Sequence, residues 1–169
     1  KARGNRERIV LATKVRYAVG GDPDTAGSSP KVILREVENS LRRLNTDYID
    51  IYYLHQPDDD TPIETTWRAL ESLVSSGKVR YIGVSNFAAW QVVEAVNLAR
   101  NRGWTPPTVT QALHNAISRA VETELLPMTR SYDIGTCMYN PLAGGLLTGK
   151  YKAGKEAGSD TRFAANEMY

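Results

Sequence analysis

The sequence predicts an α/β protein whose parallel sheet is covered by helices. Three observations carry this. Five short, near-continuous apolar runs alternate with longer stretches of helical period, in the order β-α-β-α-β-α-β-α-β. Gly, Pro, Asn and Ser punctuate the junctions between them. A polar residue also stands at the C-terminal end of each apolar run, where parallel α/β folds present side chains to a ligand.

The elements follow in order. Ile9 to Val15 is a run of strand length with Lys14 near its end, and a Gly/Asp/Pro/Ser loop from Gly20 to Ser29 follows it. Ser29 and Pro30 supply an N-cap and a first-turn proline, and Ile33, Val37, Leu41 and Leu44 share one helical face. Tyr48 to His55 is the second strand, which Pro57 stops. Thr61-Pro62-Ile63-Glu64 has the form of a capping box with Pro at its first helical position, opening a helix through Leu70, Leu73 and Val74 to Gly77. Lys78 to Val84 is the third strand. Ser85-Asn86 forms a good N-cap pair for a third helix carrying Trp90, Val93, Val96 and Leu98, which ends at Gly103. After Pro106-Pro107 come a weaker strand, Thr108 to Leu113, and a helix from about Ser118 to Tyr132. Ile134 to Leu142 is the fifth strand, and from Gly144 onward the chain reads mostly as loop.

The composition is that of an ordinary single domain. Of 169 residues, 41% are hydrophobic and 24% charged, enough for a real core. The 21 Lys and Arg against 19 Asp and Glu are interspersed, without a basic stripe or acidic tail, so neither nucleic acid nor a membrane surface is indicated as a partner. No apolar run approaches spanning length, and the first residues lack a signal-peptide core. Cys137 is the sole cysteine, which leaves no internal disulfide and no zinc cluster and points to a reducing, cytoplasmic setting. Lying mid-strand, it is expected to be a small buried side chain.

Chemistry concentrates at the strand ends. Lys14, His55, Ser85-Asn86, Gln111 and Tyr139 occupy one end each, a placement that random polar residues would not respect five times. Asp50 is excluded from the set by parity. It lies five positions before His55 and so faces the helix layer as a structural hydrogen-bonding group. Tyr17 falls in the loop beyond Lys14 and is assigned no role. The stretch Gly144 to Lys150 fits the spacing of a phosphate loop, but Tyr151 stands where Ser or Thr would hold Mg²⁺, and no helix follows.

The series IVLATK, SLRRLNTDYIDIYYLHQPD, TPIETTWRALESLVSSGKVRYIGVSNF and YNPLAGGLLTGKY closely resembles the aldo-keto reductases over essentially the whole chain. The resemblance implies a (β/α)₈ TIM barrel, NADP(H) as cofactor, and reduction of a small-molecule aldehyde or ketone to an alcohol. It implies that Lys14 and His55 are catalytic, and that Ser85, Asn86 and Gln111 hold the nicotinamide carboxamide. Tyr139 would stack on the nicotinamide ring, and the turn containing Asn140, Pro141, Leu142, Gly144 and Leu146 would run beside the pyrophosphate. No metal is implied.

The family's catalytic Tyr and Asp precede the lysine strand, and its 2′-phosphate and adenine contacts follow the last strand present here. A complete barrel typically takes about 250 residues. The expectation is therefore an incomplete barrel, about the third to seventh strands of eight and inactive alone; its open edges imply either that the missing strands exist beyond this sequence or that a true fragment self-associates. His114 stands where such relatives often carry Tyr and is read as tolerated, with no second catalytic role. An alternative on the same scaffold is a non-catalytic dinucleotide-binding or regulatory protein.

Overall fold

A computed structural model describes residues 4–151. Five parallel strands form one sheet in sequential order: β1 (Ala12–Val15), β2 (Ile49–Leu54), β3 (Val79–Ser85), β4 (Pro107–Leu113) and β5 (Gly135–Tyr139). Helices α1 (Pro30–Leu44), α2 (Ile63–Ser75), α3 (Ala89–Arg102) and α4 (Leu125–Tyr132) are the crossovers. This is the expected arc of a (β/α)₈ barrel, an incomplete barrel with β1 and β5 as its edges.

The core lies between the sheet and the helices. Tyr52, Leu54, Ile82 and Val84 from the strands meet Ile33 and Val37 of α1, Trp67 and Leu70 of α2, and Val92 and Val96 of α3. Burying a side chain such as Leu70 or Ile82 is worth about 1.5–3 kcal/mol each, so this one layer dominates the stability of the sheet. Trp67 is fully buried and donates its indole N–H to the Thr105 carbonyl at 3.0 Å, which satisfies its one polar atom.

The strand register decides what the opposite face carries. Lys14 pairs with Tyr53, Tyr53 with Gly83, and Gly83 with Val109. Ser85 pairs with Gln111, and Gln111 with Cys137. Partners in a parallel ladder share a face, and positions two apart share it too. Lys14, His55, Ser85, Gln111 and Tyr139 are therefore placed on one face, the one turned away from the helices. Asp50 has the other parity, as expected. It accepts from Leu11 N–H at 2.9 Å and pairs with Arg6 at 2.7 Å and Arg80 at 3.2 Å.

Several local expectations are corrected. The first strand is shorter than Ile9–Val15, because Ile9 and Val10 stay outside the ladder and Val10 is 73% exposed. Pro62, not Thr61, takes the N-cap position of α2, and the Thr61 hydroxyl donates to Asp58 Oδ2 at 3.0 Å, so no capping box forms. Ser85-Asn86 does not cap α3: β3 runs through Ser85, and the helix starts only at Ala89, with Ala88 N–H donating to Gln91 Oε1 at 3.0 Å. The face that α3 buries is Val92, Ala95, Val96 and Ala99, which leaves Trp90 65% exposed. Val93 and Leu98 flank this face, partly buried against the core.

Helix α4 begins at Leu125, well after Ser118. Pro127 lacks an N–H and its ring would collide with the carbonyl four positions earlier, so the helix can hold it only in its first turn. The preceding residues instead form an Asn115 turn, whose Oδ1 accepts from Ile117 and Ser118 N–H, and a short 3₁₀ turn at Ala120–Glu122. Strand β5 stops at Tyr139 because Asn140 adopts φ 58. Ala143–Thr148 coils into 3₁₀ turns where loop is expected. Cys137, expected to be buried, is exposed, because it lies on the sheet face turned away from helices α1 to α4.

Candidate active site

Lys14, His55, Ser85, Asn86, Gln111 and Tyr139 line one open hollow of about 670 Å³ at the C-terminal strand ends, together with Tyr17. Every strand contributes, as the strand-end rule requires. The turn residues Asn140, Pro141, Leu142, Gly144 and Leu146 do not line this hollow; they follow Tyr139 directly, past the end of β5. Asn140 organises that turn. Its Oδ1 accepts from Gly144 N–H at 2.6 Å and its carbonyl accepts from Asn115 Nδ2 at 3.1 Å. Gly144 and Gly145 take φ 67 and 101, conformations that leave their backbone unobstructed by a Cβ in the strained left-handed range.

Asn86 ties the hollow together. With φ 58, it leaves β3 in the left-handed region that Asn tolerates. Its Nδ2 donates to the His55 carbonyl at 3.0 Å and to Ser85 Oγ at 3.2 Å, and its backbone N–H donates to the Gln111 carbonyl at 3.0 Å. Its Oδ1 accepts from the Tyr139 hydroxyl at 2.9 Å. Gln111 Nε2 points to Cys137 Sγ at 3.6 Å.

Burial, and next the neighbouring Lys14 charge, holds the His55 pKa below its usual value, which favours the neutral imidazole. Below this layer Lys14 Nζ sits 5.6 Å from the centre of the Tyr53 ring. Burial raises the Tyr53 phenol pKa, and Cys137 adds to that shift. An ammonium and a neutral imidazole on one wall can bracket an oxygen that gains negative charge. Ser, Asn and Gln on the facing strands offer both donors and acceptors without a net charge, which is the chemistry a primary amide needs.

Two aromatic residues of this face escaped the sequence reading. Tyr53 was legible in principle, since it shares the parity of His55. Tyr17 was not, because it enters the hollow through the backbone at Arg16, which holds φ 135. His114 lies outside the hollow. Its Nε2 contacts Glu122 Oε1 at 2.9 Å, and Glu122 also pairs with Arg119. Among the described residues no helix is long and apolar enough to cross a membrane, and no three His, Cys, Asp or Glu side chains gather as a metal site.

The sequence pattern of the Aldo/keto reductase family matches residues 1–167. Human Aldo-keto reductase family 7 member A3 is 46% identical over 145 residues, which is 83% of this chain and 44% of that protein. Human Aflatoxin B1 aldehyde reductase member 2 is 44% identical over 140 residues, 82% of this chain and 39% of its own length. The Probable voltage-gated potassium channel subunit beta of Arabidopsis thaliana is 41% identical over 160 residues, 94% of this chain and 48% of that protein. The chain thus spans less than half the length of these relatives. The chain belongs to the aldo/keto reductase family.

Proposed function

We propose that this chain forms the carbonyl and nicotinamide side of an NADP(H)-dependent reductase that converts aldehydes or ketones to alcohols. The observation that carries this is the single hollow shared by Lys14, His55, Ser85, Asn86, Gln111 and Tyr139. The donor set fits the nicotinamide: Ser85, Asn86 and Gln111 suit its carboxamide, and Tyr139 presents a partly exposed ring for stacking. When bound, the cofactor supplies the hydride. The residues of this chain manage the oxygen. Lys14 stabilises the negative charge that develops there, and the neutral His55 orients the carbonyl and polarises it through an N–H. The Asn140 to Leu146 turn, rich in positive-φ backbone, serves the pyrophosphate.

The test is carbonyl-dependent oxidation of NADPH by the protein with the family's flanking segments in place. An aldehyde is the first substrate to try, given the activity named for the aflatoxin aldehyde reductases. Lys14→Met and His55→Ala should each lower turnover by about 10²–10⁴-fold. Unchanged turnover in both variants would refute the assignment. We further propose that residues 1–169 alone are inactive; carbonyl-dependent turnover by the bare chain, lost in either variant, would refute that.

A second reading is a non-catalytic dinucleotide-binding or regulatory protein, supported by the extent of the match to the plant channel subunit. Tight NADPH binding without any carbonyl-dependent oxidation would select it.

A further inference from the structure

Arg16 holds φ 135, a region that L residues rarely adopt. Three contacts keep it there. Its carbonyl accepts from Gly27 N–H at 2.8 Å, its Nε donates to the Pro57 carbonyl at 3.3 Å, and its guanidinium pairs with Asp58 at 3.4 Å. The consequence falls on the next residue. In a continuous strand Tyr17, three positions after Lys14, would face the opposite side. The bend at Arg16 returns it to the hollow, where its ring meets the His55 ring edge-on, with centroids 4.6 Å apart and planes at 78°.

We propose that Tyr17 is a positioning residue for His55, whose ring fixes the plane of the imidazole at the carbonyl-binding wall. Edge-to-face aromatic pairs set relative orientation as well as burying area. The Tyr17 hydroxyl donates to Gln56 Oε1 at 2.5 Å, which tethers the ring at its far end. Tyr17 is 52% exposed, which is unusual for a residue held by a strained neighbour and a hydrogen bond unless its place has a use. The titratable and charged groups that share the hollow with His55 are Lys14 from β1, Tyr17 from the loop after it, and Tyr139 from β5. The effect on turnover rests on the reductase reading, whereas the contact itself does not.

The experiment is an NMR titration of the His55 ring in Tyr17→Ala and Tyr17→Phe, with His114→Gln identifying the other histidine. Removing the ring opens His55 to water, so its midpoint should rise toward the usual histidine value in Tyr17→Ala and stay unchanged in Tyr17→Phe. In the reductase assay, Tyr17→Ala should lower kcat ~10–100-fold with little change in carbonyl KM, and Tyr17→Phe should retain activity. An unmoved His55 midpoint in Tyr17→Ala, or equal damage by Phe and Ala, overturns the proposal. Should the protein with the family's flanking segments in place show no carbonyl turnover, the reductase reading fails, and the titration alone still decides whether Tyr17 positions His55. Circular dichroism confirms that the half-exposed position tolerates Ala without unfolding.

Discussion

The Tyr139 hydroxyl donates to Asn86 Oδ1 at 2.9 Å, joining the last strand of the sheet to the third. The same Asn86 side chain holds the His55 carbonyl, and its backbone N–H holds the Gln111 carbonyl. One residue therefore links the ends of four strands, β2 to β5, at the mouth of the hollow. Its φ of 58 makes the link depend on residue type, since Asn adopts that region at less cost than Ala.

Two substitutions separate the backbone contribution from that of the side chain. Asn86→Ala loses the amide contacts and strains the backbone, and is expected to cost about 1–3 kcal/mol. Asn86→Gly loses the same contacts without the strain, and should be the more stable of the two. Urea unfolding midpoints measure both. Equal losses would mean that the positive φ carries no penalty.

Gly83 leaves no room for a side chain. A Cβ there would stand 2.5 Å from Cδ1 and Cε1 of Tyr53 and 3.1 Å from Ile51 Cγ2. Gly83→Ala is expected to destabilise by about 1–3 kcal/mol through overpacking. Truncating the neighbour should relieve this, so the cost should shrink in a Tyr53→Ala background. An unchanged cost in the double variant would place the strain elsewhere.

The positions that were legible in the sequence are those governed by periodicity. Lys14, His55, Ser85, Gln111 and Tyr139 obey both the strand-end rule and the alternation of two, and the structure brings them together. What escaped depends on backbone conformation or on which face meets a partner. Nothing in the residue types around Arg16 announces φ 135, so nothing in the sequence brings Tyr17 to the hollow. Ser85-Asn86 has the composition of a helix cap, yet the β3 ladder extends through Ser85 and the helix starts later. In α3 the apolar residues named from the sequence were Trp90, Val93, Val96 and Leu98; of these Val96 is buried and Trp90 exposed, and the buried set also takes in Val92, Ala95 and Ala99. Cys137 looked buried because apolar neighbours surround it in sequence; its exposure follows from which side of the sheet the helices cover.

Asp50 links the first strand region to the third strand from the helix-layer side. Burial pushes its carboxyl pKa up, but the Leu11 amide and the Arg6 and Arg80 guanidinium groups outweigh this and hold it below the usual 3.8. A lowered folded-state pKa gives stability that is present above the unfolded value and is lost as pH falls through the folded one. Asp50→Asn is expected to cost about 1–3 kcal/mol at neutral pH. The gap between variant and parent should narrow as pH drops below about 4, where the carboxylate of the unfolded chain begins to protonate, and close as the folded one follows. Denaturant titrations at several pH values check this, and a gap independent of pH would show that the charge on Asp50 is immaterial.

His55 makes the opposite end of the sheet pH-sensitive with a different origin. Its folded-state pKa lies below the usual 6.5 because burial and the Lys14 charge both disfavour the imidazolium. The unfolded chain therefore binds a proton first as pH falls, and protonation favours unfolding. The stability associated with neutral His55 is complete above about pH 6.5 and declines below it, until the folded state also protonates. The loss of stability between about pH 8 and pH 5 should be smaller in His55→Gln than in the parent. His114→Gln controls for the second histidine, which contacts Glu122 outside the hollow. If His55→Gln retains the full pH dependence, the imidazole is not held neutral by its site, and the proposed role of His55 as an N–H donor to a carbonyl oxygen loses its physical basis.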